Sequence, residues 1–195
     1  MAIVKKKKSK GSEGTRFQNN IRESCKKDNI LYYKFKDSPS IYGGKQDNIR
    51  FTPNNICDIL MYDNYLVFAE LKSTKGSSFS FTDNAFRQLM ELNDIVMDNS
   101  NNFRKGVSSG FIIEFRELEK TIFIYAYEII RFLSSNEVKT VNMKKVLDNY
   151  YKLDYIELEG IKKKVNTTYN MSKLIKDIKG GNIYEKDIIN GNDVS

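Results

Sequence analysis

Four strand-length segments of this chain, residues 56–62, 65–73, 110–115 and 121–126, are apolar on both faces. A strand with one wet face alternates apolar and polar residues, so runs such as FIIEF and TIFIYA require cover from both sides. Helical patterns supply that cover. Phe17, Ile21 and Cys25 recur at i, i+4 and i+8, and Thr15-Arg16-Phe17-Gln18 has the form of a capping box with Gln18 at its fourth position. They predict a first helix from Thr15 to about residue 27, followed by a short strand at 31–35. Phe86, Leu89, Met90, Val96 and Met97 mark a second helix starting near Thr82 or Asn84. Residues 127–133, 143–150 and 171–178 read as further helices, and 155–159 with 165–168 as a small hairpin. The order predicts an α/β fold, a mixed central sheet flanked by helices. A length of 195 residues suits one domain, expected over 15–180. Residues 1–14 read as a disordered basic tail, 181–195 as a flexible C-terminal tail, and 38–55 as an irregular excursion rich in turn residues.

Composition removes several chemistries. The chain has no histidine, which excludes Ser-His-Asp triads, Cys-His dyads and histidine-held metals. Two cysteines, Cys25 and Cys57, build neither a disulfide framework nor a zinc quartet. No Gly-rich phosphate loop is present. No apolar run approaches the roughly 18 residues of a membrane span, and MAIVKKKKSK lacks the apolar stretch of a signal peptide, so a cytoplasmic setting is expected. The formal net charge is +7, but Lys5, Lys6, Lys7, Lys8 and Lys10 carry five of those charges. The remainder says little about partners, although such a tail can hold a phosphate backbone loosely.

Asp58, Glu70 and Lys72 interrupt the most apolar part of the sequence, CDILMYDNYLVFAELKSTKG. Glu70 and Lys72, two apart on a strand, point to one face. Whether Asp58 joins them depends on the hairpin. A two-residue loop, Asp63-Asn64, sets Asp58 opposite Ala69 and on the wrong face; a three-residue loop, Asp63-Asn64-Tyr65, sets it opposite Glu70. The expectation is the three-residue loop, or a bulge with the same result. Two carboxylates so placed repel unless one is protonated or a cation binds. Oxygen ligands suit a hard ion, Mg²⁺ or Mn²⁺, and water polarised by such an ion hydrolyses phosphodiesters, with Lys72 orienting it or neutralising the transition state. The bland alternative is a solvated surface group, with Glu70 and Lys72 an exposed pair worth almost nothing. The apolar flanks, Ile56, Ile59 and Leu60 before and Leu66, Val67, Phe68 and Leu71 after, weigh against it.

Extended, the pattern is Asn55-Ile56-Cys57-Asp58, then Glu70-Leu71-Lys72-Ser73-Thr74-Lys75-Gly76, then Phe79-Ser80-Phe81 and a helix carrying Gln88. It resembles the PD-(D/E)XK nuclease superfamily, and within it the RecU-type Holliday junction resolvases, in the short form carried by phages of low-GC bacteria. The likeness also takes in Gly14-Thr15-Arg16-Phe17, the 110–116 strand and residues 165–174. It implies a restriction-endonuclease-like core and a homodimeric, Mg²⁺-dependent endonuclease that nicks two like strands of a four-way DNA junction. Asp58 and Glu70 match the metal-ligand positions, Lys72 the catalytic lysine and Gln88 the glutamine beside the site. Gln88 otherwise merely solvates the rim of its helix beside Leu92.

Two features depart from the family. Its first helix often carries a glutamate just after the Phe; here that residue is Gln18, leaving Glu13 as a substitute or Gln18 as a capping residue only. The segment that projects a stalk in longer members is short here, around 41–53, with Tyr42 and Phe51 as candidate wedges. Lys45, Arg50, Lys75 and Arg87 head the candidate DNA-backbone contacts, with Lys34, Lys36, Arg104 and Lys105 beside them. The alternatives are the same nuclease chemistry on duplex ends or specific sites, and a non-catalytic DNA-binding module on the same fold.

Overall fold

The computed structural model describes residues 11–35, 55–97, 102–164 and 166–181. Helix α1 (Gly11–Lys27) leads into strand β1 (Leu31–Lys34). Strands β2 (Ile59–Tyr62), β3 (Leu66–Thr74) and β4 (Ser78–Ser80) precede helix α2 (Asp83–Val96). Then follow β5 (Val107–Phe115), β6 (Lys120–Tyr125), α3 (Ala126–Ser135), β7 (Thr140–Asn142) and α4 (Met143–Leu147). The chain continues through β8 (Ile156–Glu157), β9 (Gly160–Lys162) and β10 (Thr167–Tyr169) to α5 (Met171–Gly181).

Six strands form the central sheet in the order β1-β2-β3-β5-β6-β8. It is mixed: β3 and β5 run parallel, and the other neighbours antiparallel. The parallel pair requires a crossover, which contains α2. Both faces are covered over β3, β5 and β6, as these doubly apolar strands demand, whereas the expected double cover fails at β2, where Tyr62 is 48% exposed. On one face Phe17, Ile21 and Cys25 of α1 and Met171, Leu174, Ile175 and Ile178 of α5 pack on Val67, Ala69, Leu71, Ile112 and Phe123. On the other, Leu89 and Leu92 of α2 and Ile129 and Phe132 of α3 pack on Phe111, Ile113, Phe115, Ile122 and Ile124. Asp28, just past α1, joins the two helices of the first face by accepting from Met171 N and Ser172 N. Gly110 lets β5 and β6 approach closely: a Cβ there would stand 2.2 Å from the Ile124 carbonyl oxygen.

Several local expectations are corrected. Helix α1 begins at Gly11, so Thr15 and Gln18 lie inside it and form no capping box. Glu13 instead occupies the first turn, where a carboxylate complements the helix dipole. The segment 155–159 does not pair with 165–168. Ile156 and Glu157 join the edge of the main sheet, and the hairpin is β9 with β10. Ile56, expected among buried flanks, precedes β2 and is 43% exposed. A two-stranded sheet of β4 and β7 was not foreseen; strands of three residues carry too little periodicity to read. The excursion lies outside the described residues apart from Asn55, as do residues 1–10 and 182–195 of the expected tails.

Candidate metal-dependent active site

Tyr62 pairs with Leu66 and Ile59 with Ala69, the register of the three-residue loop. Asn64 takes a left-handed backbone conformation in that turn (φ 55°), which asparagine tolerates better than most residues. Asp58 stands one residue before β2. Its carbonyl accepts from Phe35 N at 2.9 Å, and its Oδ2 accepts from Leu71 N at 2.9 Å. The carboxylate therefore ties the end of β2 to β3, immediately beside Glu70.

Glu70 is 2% exposed. Its Oε1 accepts from Lys72 Nζ at 2.6 Å and from Gln88 Nε2 at 2.9 Å, while Lys72 Nζ also donates to Gln88 Oε1 at 3.3 Å. Gln88 thus bridges the acid and the base from α2. Ser109 of β5 donates to Leu92 O at 2.6 Å, which fixes α2 to the sheet one turn beyond Gln88. The second oxygen, Glu70 Oε2, is buried and has no hydrogen-bond partner. Burial, and then the Asp58 charge, push the Glu70 carboxyl above the usual range; Lys72 and Gln88 oppose this. The adjacent Cys57 thiol is pushed up to about 12, by burial first and then by Glu70, which leaves it inert.

These residues fit a hard divalent cation. A buried carboxylate oxygen lacks a donor and a second carboxylate lies beside it, and a divalent cation would satisfy both. Among the described residues no cluster of three or more His, Cys, Asp or Glu side chains gathers to hold a metal. Two carboxylates suit an ion that keeps most of its waters, the habit of Mg²⁺, better than a dehydrated protein cage.

The accessory candidates lie elsewhere. Glu13 pairs with Arg16 at 2.9 Å and Arg116 at 3.3 Å, and Gln18 Oε1 accepts from Lys34 Nζ at 3.1 Å. Both residues belong to α1, which packs on the face away from Glu70. Arg87 binds Glu91 and Asn84 of its own helix. Lys75 is exposed just past β3. Lys36, Lys45, Arg50, Tyr42 and Phe51 lie outside the described residues.

Sequence reasoning missed a second charged network. Arg16 lies 3.8 Å from Glu114 Oε1, and Ser73 Oγ donates to Glu114 Oε2 at 2.6 Å. The signal was the lone Glu in FIIEF.

No family model matches the chain. The SPbeta prophage-derived uncharacterized protein YotM of Bacillus subtilis (strain 168) is 26% identical over 179 residues, 86% of this chain and 87% of that protein. Among solved structures, the Holliday junction resolvase Hjc of the archaeal hyperthermophile Archaeoglobus fulgidus is similar at a TM-score of 0.37 and 13% identity, covering 58% of this chain and 78% of that one.

Proposed function

We propose that this chain is a metal-dependent DNA endonuclease of the PD-(D/E)XK type, acting as a homodimeric Holliday junction resolvase in the cytoplasm of a bacterial or phage-infected cell. One observation carries the nuclease chemistry: Asp58, Lys72 and Gln88 gather about Glu70 on one sheet face, with both donors on its Oε1 and its buried Oε2 left without one. Asp58 and Glu70 would hold Mg²⁺, with Mn²⁺ as a substitute. When bound, the ion supplies a polarised water and charge neutralisation at the scissile phosphate. Lys72 places a cation where negative charge develops, and Gln88 holds Lys72 and Glu70 in fixed orientation. The extended motif around these residues supports the four-way junction as substrate, and a prophage-derived relative accords with a phage setting. Among the described residues no helix is long and apolar enough to cross a membrane.

The test compares a four-way junction with a linear duplex of the same sequence, each with Mg²⁺ and with EDTA. Junction-selective, Mg²⁺-dependent paired nicks are expected, and Asp58→Asn should bind the junction without cutting it. Equal cutting of both substrates would remove the resolvase assignment and leave the nuclease. No cutting of either would remove both.

A further inference from the structure

Among the described residues, the sheet face that carries Glu70 is roofed by a helix on one flank only. Helix α2 covers it over β3 and β5, with Gln88 reaching Glu70. Over β1 and β2 the same face exposes Leu31, Tyr33 and Tyr62. Register defines three rows across these strands: Phe35 beside Asp58 beside Glu70, Tyr33 beside Leu60 beside Phe68, and Leu31 beside Tyr62 beside Leu66. The first row holds the two carboxylates. The next two form an apolar ledge with large exposed surfaces: Leu31 is 56% exposed, Tyr33 54% and Tyr62 48%. Tyr33 is braced edge-on against Phe35, with ring centroids 5.2 Å apart at 84°. Leu31 and Tyr33 turn the apolar alternation of β1 outward, while Phe35, one residue past β1, packs partly against the core on the α2 side.

We propose that this ledge, built on Tyr33 and Tyr62, is a stacking platform for a nucleobase next to the scissile phosphate, one that has left its own base stack. The inference rests on the nuclease reading and deepens it. Three features select this occupant. The ledge adjoins the carboxylates on one continuous face, and its rows lie two residues, about 7 Å, apart along the strands, comparable to a nucleotide step along an extended chain. It lies directly beside the carboxylate row, so a second protein copy lying flat on it would crowd the site, whereas a substrate strand reaching the carboxylates from this side would lie along it. Its side chains are tyrosines, with an apolar ring and a polar tip, and aromatic rings stack any base without reading sequence. A structure-selective enzyme requires that tolerance.

The test is fluorescence anisotropy of a labelled four-way junction and a labelled single-stranded oligonucleotide, in Ca²⁺ to prevent cutting. Each of Tyr33→Ala and Tyr62→Ala should weaken binding of both probes by about tenfold, the usual worth of one stacked base. Tyr33→Phe and Tyr62→Phe should change it less than about twofold, because the ring is retained. Thermal melts check that the variants fold. Unchanged affinity in folded Ala variants would overturn the platform. An altered monomer–dimer balance in sedimentation with unchanged DNA affinity would also overturn it, and assign the ledge to a second copy. The nuclease reading fails separately. A wild type that binds DNA without Mg²⁺-dependent cutting loses the chemistry while the ledge stands on its binding result. A wild type that binds neither probe loses both.

Discussion

Two glutamates, buried in neighbouring strands of one sheet, are treated in opposite ways. Glu114 on β5 faces α1; Ser73 donates to one of its oxygens and Arg16 lies beside the other. Arg16 is itself paired with Glu13, which also meets Arg116. On that face both oxygens of the buried carboxylate meet side chains of the protein, although Arg16 Nε is itself buried without a hydrogen-bond partner. Glu70 on β3 faces α2, and both its donors converge on one oxygen while the other has none. A second carboxylate, Asp58, adds repulsion rather than relief. The same backbone thus gives both oxygens of Glu114 a partner on one face and leaves one oxygen of Glu70 without a donor on the other, where the proposed cation would complete the set. Natural proteins leave such deficits at working sites.

The contrast breaks most visibly in catalysis. Lys72→Ala should lower Mg²⁺-dependent junction cleavage by about 10²–10³-fold while junction binding persists, because a donor aimed at developing charge is lost. Arg16→Met, on the α1 face, should leave the cleavage rate of the folded protein near wild type. Single-turnover cleavage checks both. A large catalytic loss in Arg16→Met would mean that the two networks act as one.

Stability should invert the order. Arg16→Met leaves Glu114 short of a cation and should cost about 1–2 kcal/mol, discounted because Arg16 is partly exposed. Glu70→Gln in EDTA should cost nothing or stabilise by about 1 kcal/mol, since it removes a desolvated charge beside Asp58. Urea denaturation separates them; a costly Glu70→Gln would show that the metal-free site is already satisfied.

The pH dependence sharpens the point. Glu70 binds its proton more tightly folded than unfolded. Its contribution to stability is therefore full below the ordinary carboxylate value and is lost as pH rises through its raised folded value. Metal-free protein should lose stability across that window, and Glu70→Gln should flatten the loss. Mg²⁺ should offset it, with proton release on binding seen as buffer-dependent heat in calorimetry.

Among the site residues the smallest catalytic effect is expected at Gln88. Gln88→Ala should reduce cleavage about tenfold or more, less than loss of Lys72, as it positions two groups without replacing either.

How much of this was legible varies with the range of the determinant. The layered fold followed from strands too apolar to leave either face wet. The register followed from one local choice, a three-residue turn, which the φ of Asn64 now explains. The start of α1 did not follow, because Thr15-Arg16-Phe17-Gln18 is a local pattern while Glu13 is engaged by Arg116, a hundred residues away in sequence. Gln18 was misplaced for the same reason: its partner, Lys34, lies on another element. The exposed ledge was half visible. Leu31, Tyr33 and Phe35 alternate in the sequence, but alternation cannot say whether a face meets a helix or solvent.

The most direct test of the central claim is Mn²⁺ binding by electron paramagnetic resonance, with Mg²⁺ competing, in wild type, Asp58→Asn, Glu70→Gln and Glu13→Gln proteins. Wild type and Glu13→Gln should bind Mn²⁺ in a Mg²⁺-displaceable manner, while Asp58→Asn and Glu70→Gln should lose most of that binding. Equal Mn²⁺ binding in all four would place the metal elsewhere and contradict the account.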